Sequence, residues 1–135
     1  MGIVIKSENC CMEVKLIVYA ALKTQIQQLA QQYFIEACEE TGIKPNSNPE
    51  CIVELFKKMQ EMDEQYDGML SDTSDFLRAS GSETDMDVKH CKSLLKLINN
   101  EDSLLCQLIA QNPTMSEFLK IIEDGIDSGK GFTCR

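Results

Sequence analysis

Between residues 48 and 77, NPECIVELFKKMQEMDEQYDGMLSDTSDFL, apolar side chains recur at Ile52, Leu55, Met59, Met62, Tyr66, Met69 and Phe76, with Thr73 in the one polar slot. The steps alternate three and four, which is the seam of a helix packed lengthwise against another helix. Asn48 can cap its start, Pro49 suits the first helical position, and Glu50 sits favourably in the first turn. The seam predicts a helix over about 49–70. Gly68 weakens its end, because glycine in a helix interior costs about 1 kcal/mol against alanine.

A partner for that seam precedes it. Residues 11–41 contain no Pro or Gly, and Tyr19, Leu22, Ile26, Leu29 and Tyr33 repeat the three-four spacing. Gly42 is placed to end this helix. The link GIKPNSN, residues 42–48, is turn chemistry throughout, and so short a loop makes two long helices antiparallel neighbours. The central expectation is a coiled-coil-like helical hairpin in which Met59 and Met62 oppose the region from Leu22 to Leu29. Residues 14–22 are apolar nearly all round, so that part of the first helix is expected to be enclosed on several sides.

Residues 71–82 carry several side chains that compete locally for backbone hydrogen bonds, and a break is expected there. Three shorter helices follow. Ser82 with Asp85, or Thr84 with Asp87, resembles a capping box, and Val88, Cys91, Leu94, Leu95 and Ile98 make one stripe. Leu104, Leu105, Leu108 and Ile109 line the next helix, which stops at Asn112-Pro113. Thr114 and Glu117 open the last, with Met115, Phe118, Leu119 and Ile122 on its stripe and Gly125 as its stop. The predicted fold is all-α: one helical domain over 11–125, bundle-like, with a flexible or briefly extended N-terminus at 1–10 and a loose tail at 126–135.

Charge then narrows function. Twenty-two Asp and Glu against thirteen Lys and Arg give a net charge of −9, the wrong sign for binding nucleic acid or anionic lipid. The longest apolar run, residues 16–22, falls far short of the roughly 20 residues that span a bilayer. Seven cysteines form no C-x-x-C pair and are odd in number, so neither a disulfide framework nor a zinc finger is expected. Cys38, Cys91 and Cys106 read as small hydrophobes, Cys10 and Cys11 as exposed thiols. A reducing intracellular compartment, cytoplasmic or nuclear, is the matching expectation.

Asp63, Gln65, Asp67 and Gly68 have the spacing that opens an EF-hand loop, but position 12 is Ser74, where a bidentate Glu is required. His90 is the sole histidine. It lies off the apolar stripe, and its neighbour Cys91 points about 100° away around the helix, so the two make no nucleophile–base pair. No phosphate-binding glycine loop or nucleophile elbow occurs.

The leading expectation is a non-enzymatic interaction module, an adaptor or complex subunit, needing no cofactor or metal. It would bind a protein partner or a second copy of itself through helical surfaces, with no nucleic acid and no membrane. The candidate residues are Leu22, Ile26, Leu29, Ile52, Leu55, Met59, Met62, Tyr66 and Met69. The alternatives are a degenerate EF-hand-like regulator that has lost calcium binding and, third, a small cysteine-dependent enzyme.

Overall fold

The computed structural model describes residues 2–44, 46–79, 84–100 and 103–135. Its first element is a hairpin. In β1 (Gly2–Lys6), Ile3 and Ile5 are buried between exposed Gly2 and Lys6. In β2 (Cys11–Lys15), Met12 is buried between exposed Cys11 and Glu13. Period-two alternation of this kind gives a strand one wet and one dry face. The two pair antiparallel from Gly2↔Lys15 to Lys6↔Cys11. Their turn is held to the far end of the chain, where the Asp124 carboxylate accepts bonds from Ser7 Oγ (2.6 Å) and the Asn9 amide (2.8 Å). The Ser7 bond, followed by those from Asn9, draws the Asp124 carboxyl below its ordinary range.

Six helices and two further strands follow among the described residues. Helix α1 (Leu16–Thr41) ends at Gly42, whose φ of 70° is the left-handed closing conformation. Asn48 caps α2 (Pro49–Gln65) by accepting from the Cys51 amide at 3.1 Å. Asp67 and Gly68, at φ 56° and 79°, then turn the chain into α3 (Met69–Arg78). After β3 (Thr84–Met86), Asp87 caps α4 (Val88–Ile98), Ser103 caps α5 (Leu104–Ala110), and Asn112 caps α6 (Pro113–Ser128). The chain closes with β4 (Phe132–Cys134).

The last strand enters the middle of the sheet. Strand order is β2-β1-β4-β3, every neighbour antiparallel, with Ile5 opposite Cys134 and Met86 opposite Phe132. A reciprocal pair of bonds between Val4 and Arg135 (2.7 and 2.9 Å) extends the β1–β4 ladder. The dry face, Ile3, Ile5, Met12, Met86, Phe132 and Cys134, shares one core with side chains from α1 and α3 to α6. Phe76 of α3, Phe118 of α6 and Phe132 of β4 lie within 5.6–6.0 Å of one another, ring centre to ring centre. The architecture is helices over one face of an antiparallel sheet. A smaller apolar cluster, Ala37, Leu55 and Met62, joins α1 to α2 away from that core.

The all-α expectation is therefore wrong, for three physical reasons. Residues 11–15 lack helix breakers and look helical, yet their alternation pairs them with β1, so α1 begins at Leu16. Strands β3 and β4 are three residues each, too short to show a period. The expected loose tail is β4, with Phe132 and Cys134 buried.

Boundaries moved as well. The first break falls earlier, at residues 66–68, where Asp67 and Gly68 adopt left-handed backbone; within the expected break over 71–82 the chain stays helical to Arg78, turns extended at Ala79, and residues 80–82 lie outside the described residues. Helix α6 runs past Gly125 to Gly129 (φ 72°), with Gly125 a close-packing position against the Gly131 carbonyl. The Thr84–Asp87 capping box does not form: Thr84 belongs to β3 and Asp87 is itself the cap of α4, while Ser82 lies outside the described residues. Residues 16 and 17, expected to be enclosed, expose 52% and 77% of their surface. No helix of the described residues is long and apolar enough to cross a membrane.

Two glycines with the same backbone angle separate strand insertion from ordinary turn strain. At Gly131 (φ 70°) an added Cβ would come within 1.9 Å of the Met86 carbonyl oxygen, whereas at Gly42 (φ 70°) it meets nothing. Gly42→Ala is expected to cost only the left-handed penalty of about 1–2 kcal/mol. Gly131→Ala should cost about 4 kcal/mol or more, because the β3–β4 pairing must open. Urea unfolding of the two variants checks this, and equal losses would contradict the inserted strand.

Candidate functional site

The nine residues singled out from the sequence divide between two places. Leu22, Ile26 and Leu29 of α1 and Met69 of α3 are buried in the main core. Leu55 and Met62 are buried in the α1–α2 cluster, with Ile52 and Met59 half-buried beside them. Tyr66 is half-buried, its ring edge-on to Tyr33 at 5.2 Å. The α1–α2 pairing exists, but in another register. The α2 seam meets Tyr33, Phe34, Ala37 and Cys38, while Leu22 to Leu29 turn to the main core.

Met59 also lines an open cleft of about 280 Å³ between α2 and α3, with Phe56, Leu70, Ser74, Asp75 and Arg78 among its walls. A second cleft, about 330 Å³, is lined by Phe34, Ile35, Cys38 and Ile43. Phe56 is 62% exposed and Ile35 56%.

The calcium-like spacing at Asp63 has a structural use. One oxygen of Asp63 accepts from the Leu70 amide (2.9 Å) and the Ser71 amide (3.2 Å), and the other from the Ser71 hydroxyl. It closes the start of α3 in place of a side chain at Gly68, which has none.

Sequence reasoning overlooked the densest polar constellation, at the α3–α4 contact. Three residues apart on α3, Asp72 and Asp75 share one face. Across from them His90 Nε2 lies 3.1 Å from Asp75 Oδ2 and 3.9 Å from Asp72 Oδ1. His90 Nδ1 lies 2.7 Å from Asp87 Oδ1, which also accepts the His90 amide at 2.9 Å as the cap of α4. Asp72, nearly fully buried, accepts from Ser93 Oγ at 2.6 Å and faces Lys89 Nζ at 3.4 Å. The signal was a helical D-x-x-D ahead of the only histidine; it was hidden by reading residues 71–82 as a linker.

With a carboxylate at each ring nitrogen, both N–H groups find acceptors only in the imidazolium form. Burial pulls the His90 pKa down, but the hydrogen bonds its ring donates to Asp75 and Asp87 outweigh it and the net displacement is upward. The His90 amide, then the ring, pull the Asp87 carboxyl the opposite way.

The thiol next to His90 in sequence is not activated. Cys91 is fully buried, and burial ahead of the Asp87 charge pushes its thiol up to about 12. All seven cysteines are free thiols; Cys91, Cys106 and Cys134 are buried, and Cys11 is exposed. No protein-family model, curated protein or solved structure matches this chain.

The histidine generates a signed pH dependence. A folded-state pKa raised above the ordinary value near 6.5 adds stability that is fully present below about pH 6.5 and is lost as pH rises through the folded pKa. The stability difference between the parent and His90→Gln, in chelator, should therefore be larger at about pH 6 than at about pH 8.5. Urea unfolding at both values measures it. A difference independent of pH would mean that the carboxylates do not hold an imidazolium.

Proposed function

We propose that the chain is a non-enzymatic interaction module, an adaptor or complex subunit, which binds a helical partner segment along the α1–α2 arm. The observation that carries the reading is the arm's uncovered apolar surface. Its own buried cluster is only Ala37, Leu55 and Met62, while Ile35, Val53 and Phe56 each leave more than half their surface in water. Scattered exposed hydrophobics are ordinary, but two clefts on one small arm, one with Phe56, Met59 and Leu70 and the other with Phe34, Ile35 and Ile43 in its walls, form the kind of surface that partners cover. Met59 in the α2–α3 cleft adds an unbranched, polarizable side chain that adapts to the shape laid against it.

The arm's charge specifies the partner's chemistry. Residues 36–64 carry eight acidic and three basic side chains, a net of −5. A partner helix with an apolar stripe and Lys or Arg on its flanks complements both features, and the acidic rim would speed encounter more than it deepens affinity. The uncovered residues 16 and 17 of α1 lie outside the arm and are not needed for this contact.

A defined probe tests the reading. A fluorescent amphipathic helical peptide of Leu and Lys, apolar residues three and four apart, should bind the parent in an anisotropy titration. Its Leu/Glu counterpart should not. Phe56→Glu should abolish binding while shifting unfolding stability by about 0.5 kcal/mol or less, as an exposed position does. Equal binding of both peptides, no binding of either, or retained binding by Phe56→Glu would overturn the proposal.

A further inference from the structure

We propose that Asp72, Asp75 and His90 form a site for a divalent transition metal, clipping α3 to α4. One ligand atom from each of the three lies within 4.8 Å of the others. A four-coordinate ion with bonds of about 2.0–2.2 Å holds its ligand atoms roughly 3.3–3.6 Å apart. The observed separations of 3.1 Å (His90 Nε2 to Asp75 Oδ2) and 3.9 Å (His90 Nε2 to Asp72 Oδ1) bracket that edge, and the two carboxylates lie within 4.8 Å of each other.

The surroundings orient each ligand. Asp87 Oδ1 engages His90 Nδ1 at 2.7 Å, the carboxylate–histidine arrangement that puts the remaining proton on Nδ1 and leaves the Nε2 lone pair for a metal. Ser93 occupies Asp72 Oδ2 at 2.6 Å, leaving Oδ1 as the oxygen nearer His90. Asp75 is half exposed, so an ion enters from that side and keeps a solvent-facing position. One imidazole with two carboxylates selects zinc-like ions over calcium or magnesium, which prefer oxygen throughout.

Two carboxylates balance the ion's charge. Binding replaces the proton on His90 Nε2 and releases it to solvent. The opposing group is Lys89, whose ammonium stands 3.4–3.5 Å from the Asp72 oxygens. It is well exposed and can swing away, at a cost to affinity.

The experiment uses the full chain with Cys10→Ser, Cys11→Ser, Cys38→Ser and Cys51→Ser, which takes away every thiol that is not buried. Zn²⁺ is titrated calorimetrically and Co²⁺ by absorption. One Zn²⁺ per chain should bind and raise the melting temperature, and the Co²⁺ complex should lack a thiolate charge-transfer band. His90→Gln and Asp75→Asn should each weaken binding by about tenfold or more, and Asp87→Asn by about tenfold through loss of ring orientation. Lys89→Gln should tighten it. Asp75 and Asp87 are exposed, so their variants keep the test valid if His90→Gln folds poorly. No binding at millimolar ion, unchanged affinity in Asp75→Asn and Asp87→Asn, or a thiolate band would overturn the site.

Discussion

The fold depends on one contact made late in the chain: Phe132 of β4 closing against Phe76 of α3 and Phe118 of α6. Each ring is at most 2% exposed, and full burial of a phenylalanine is worth about 1.5–3 kcal/mol. The edge-on pairs add roughly 0.5–1.5 kcal/mol each. Seating Phe132 also places β4 between β1 and β3, so the N-terminal hairpin reaches the third strand only through the C-terminus. The turn of that hairpin is tied to Asp124 on α6, the helix leading into β4. Termini and core are thus mutually dependent.

How much of this was legible follows from element length. The stripes of α4, α5 and α6 and the cap at Asn48 can be read because each shows a helical period or uses a defined capping chemistry. The α1–α2 pairing can be read from the seam, but its register cannot. Leu22, Ile26 and Leu29 have the same spacing as Tyr33 and Ala37, and nothing local says that the sheet, α3 and α4 claim the first set. The five residues of β2 pass for helix until Ile3 and Ile5 are known to pair beside them. The three-residue strands carry no period at all; their position is a consequence of long-range burial. The His90 cluster was invisible for a related reason, since it needs Met69–Arg78 to be helix and to lie on α4.

The resulting molecule has two regimes. The body buries its large side chains around the aromatic trio. The arm buries little and leaves Ile35, Val53 and Phe56 in water under an acidic rim. Asp75 belongs to both candidate surfaces, as a wall of the α2–α3 cleft and as a partner of His90. The polar cluster therefore sits where the arm meets the body. A proton or an ion held there changes the charge at the end of the cleft without touching its apolar walls. The two functional proposals remain separable, because one is tested by peptide binding and the other by metal binding.

The final strand is an integral part of the core, while α2 is secured by the smaller Ala37–Leu55–Met62 cluster. Native-state hydrogen exchange addresses this residue by residue. Amides of β4, α4 and α6 should exchange only through global unfolding, while those of α2 should exchange through openings of much lower free energy. Rapid exchange in β4 alongside full protection of α2 would contradict it.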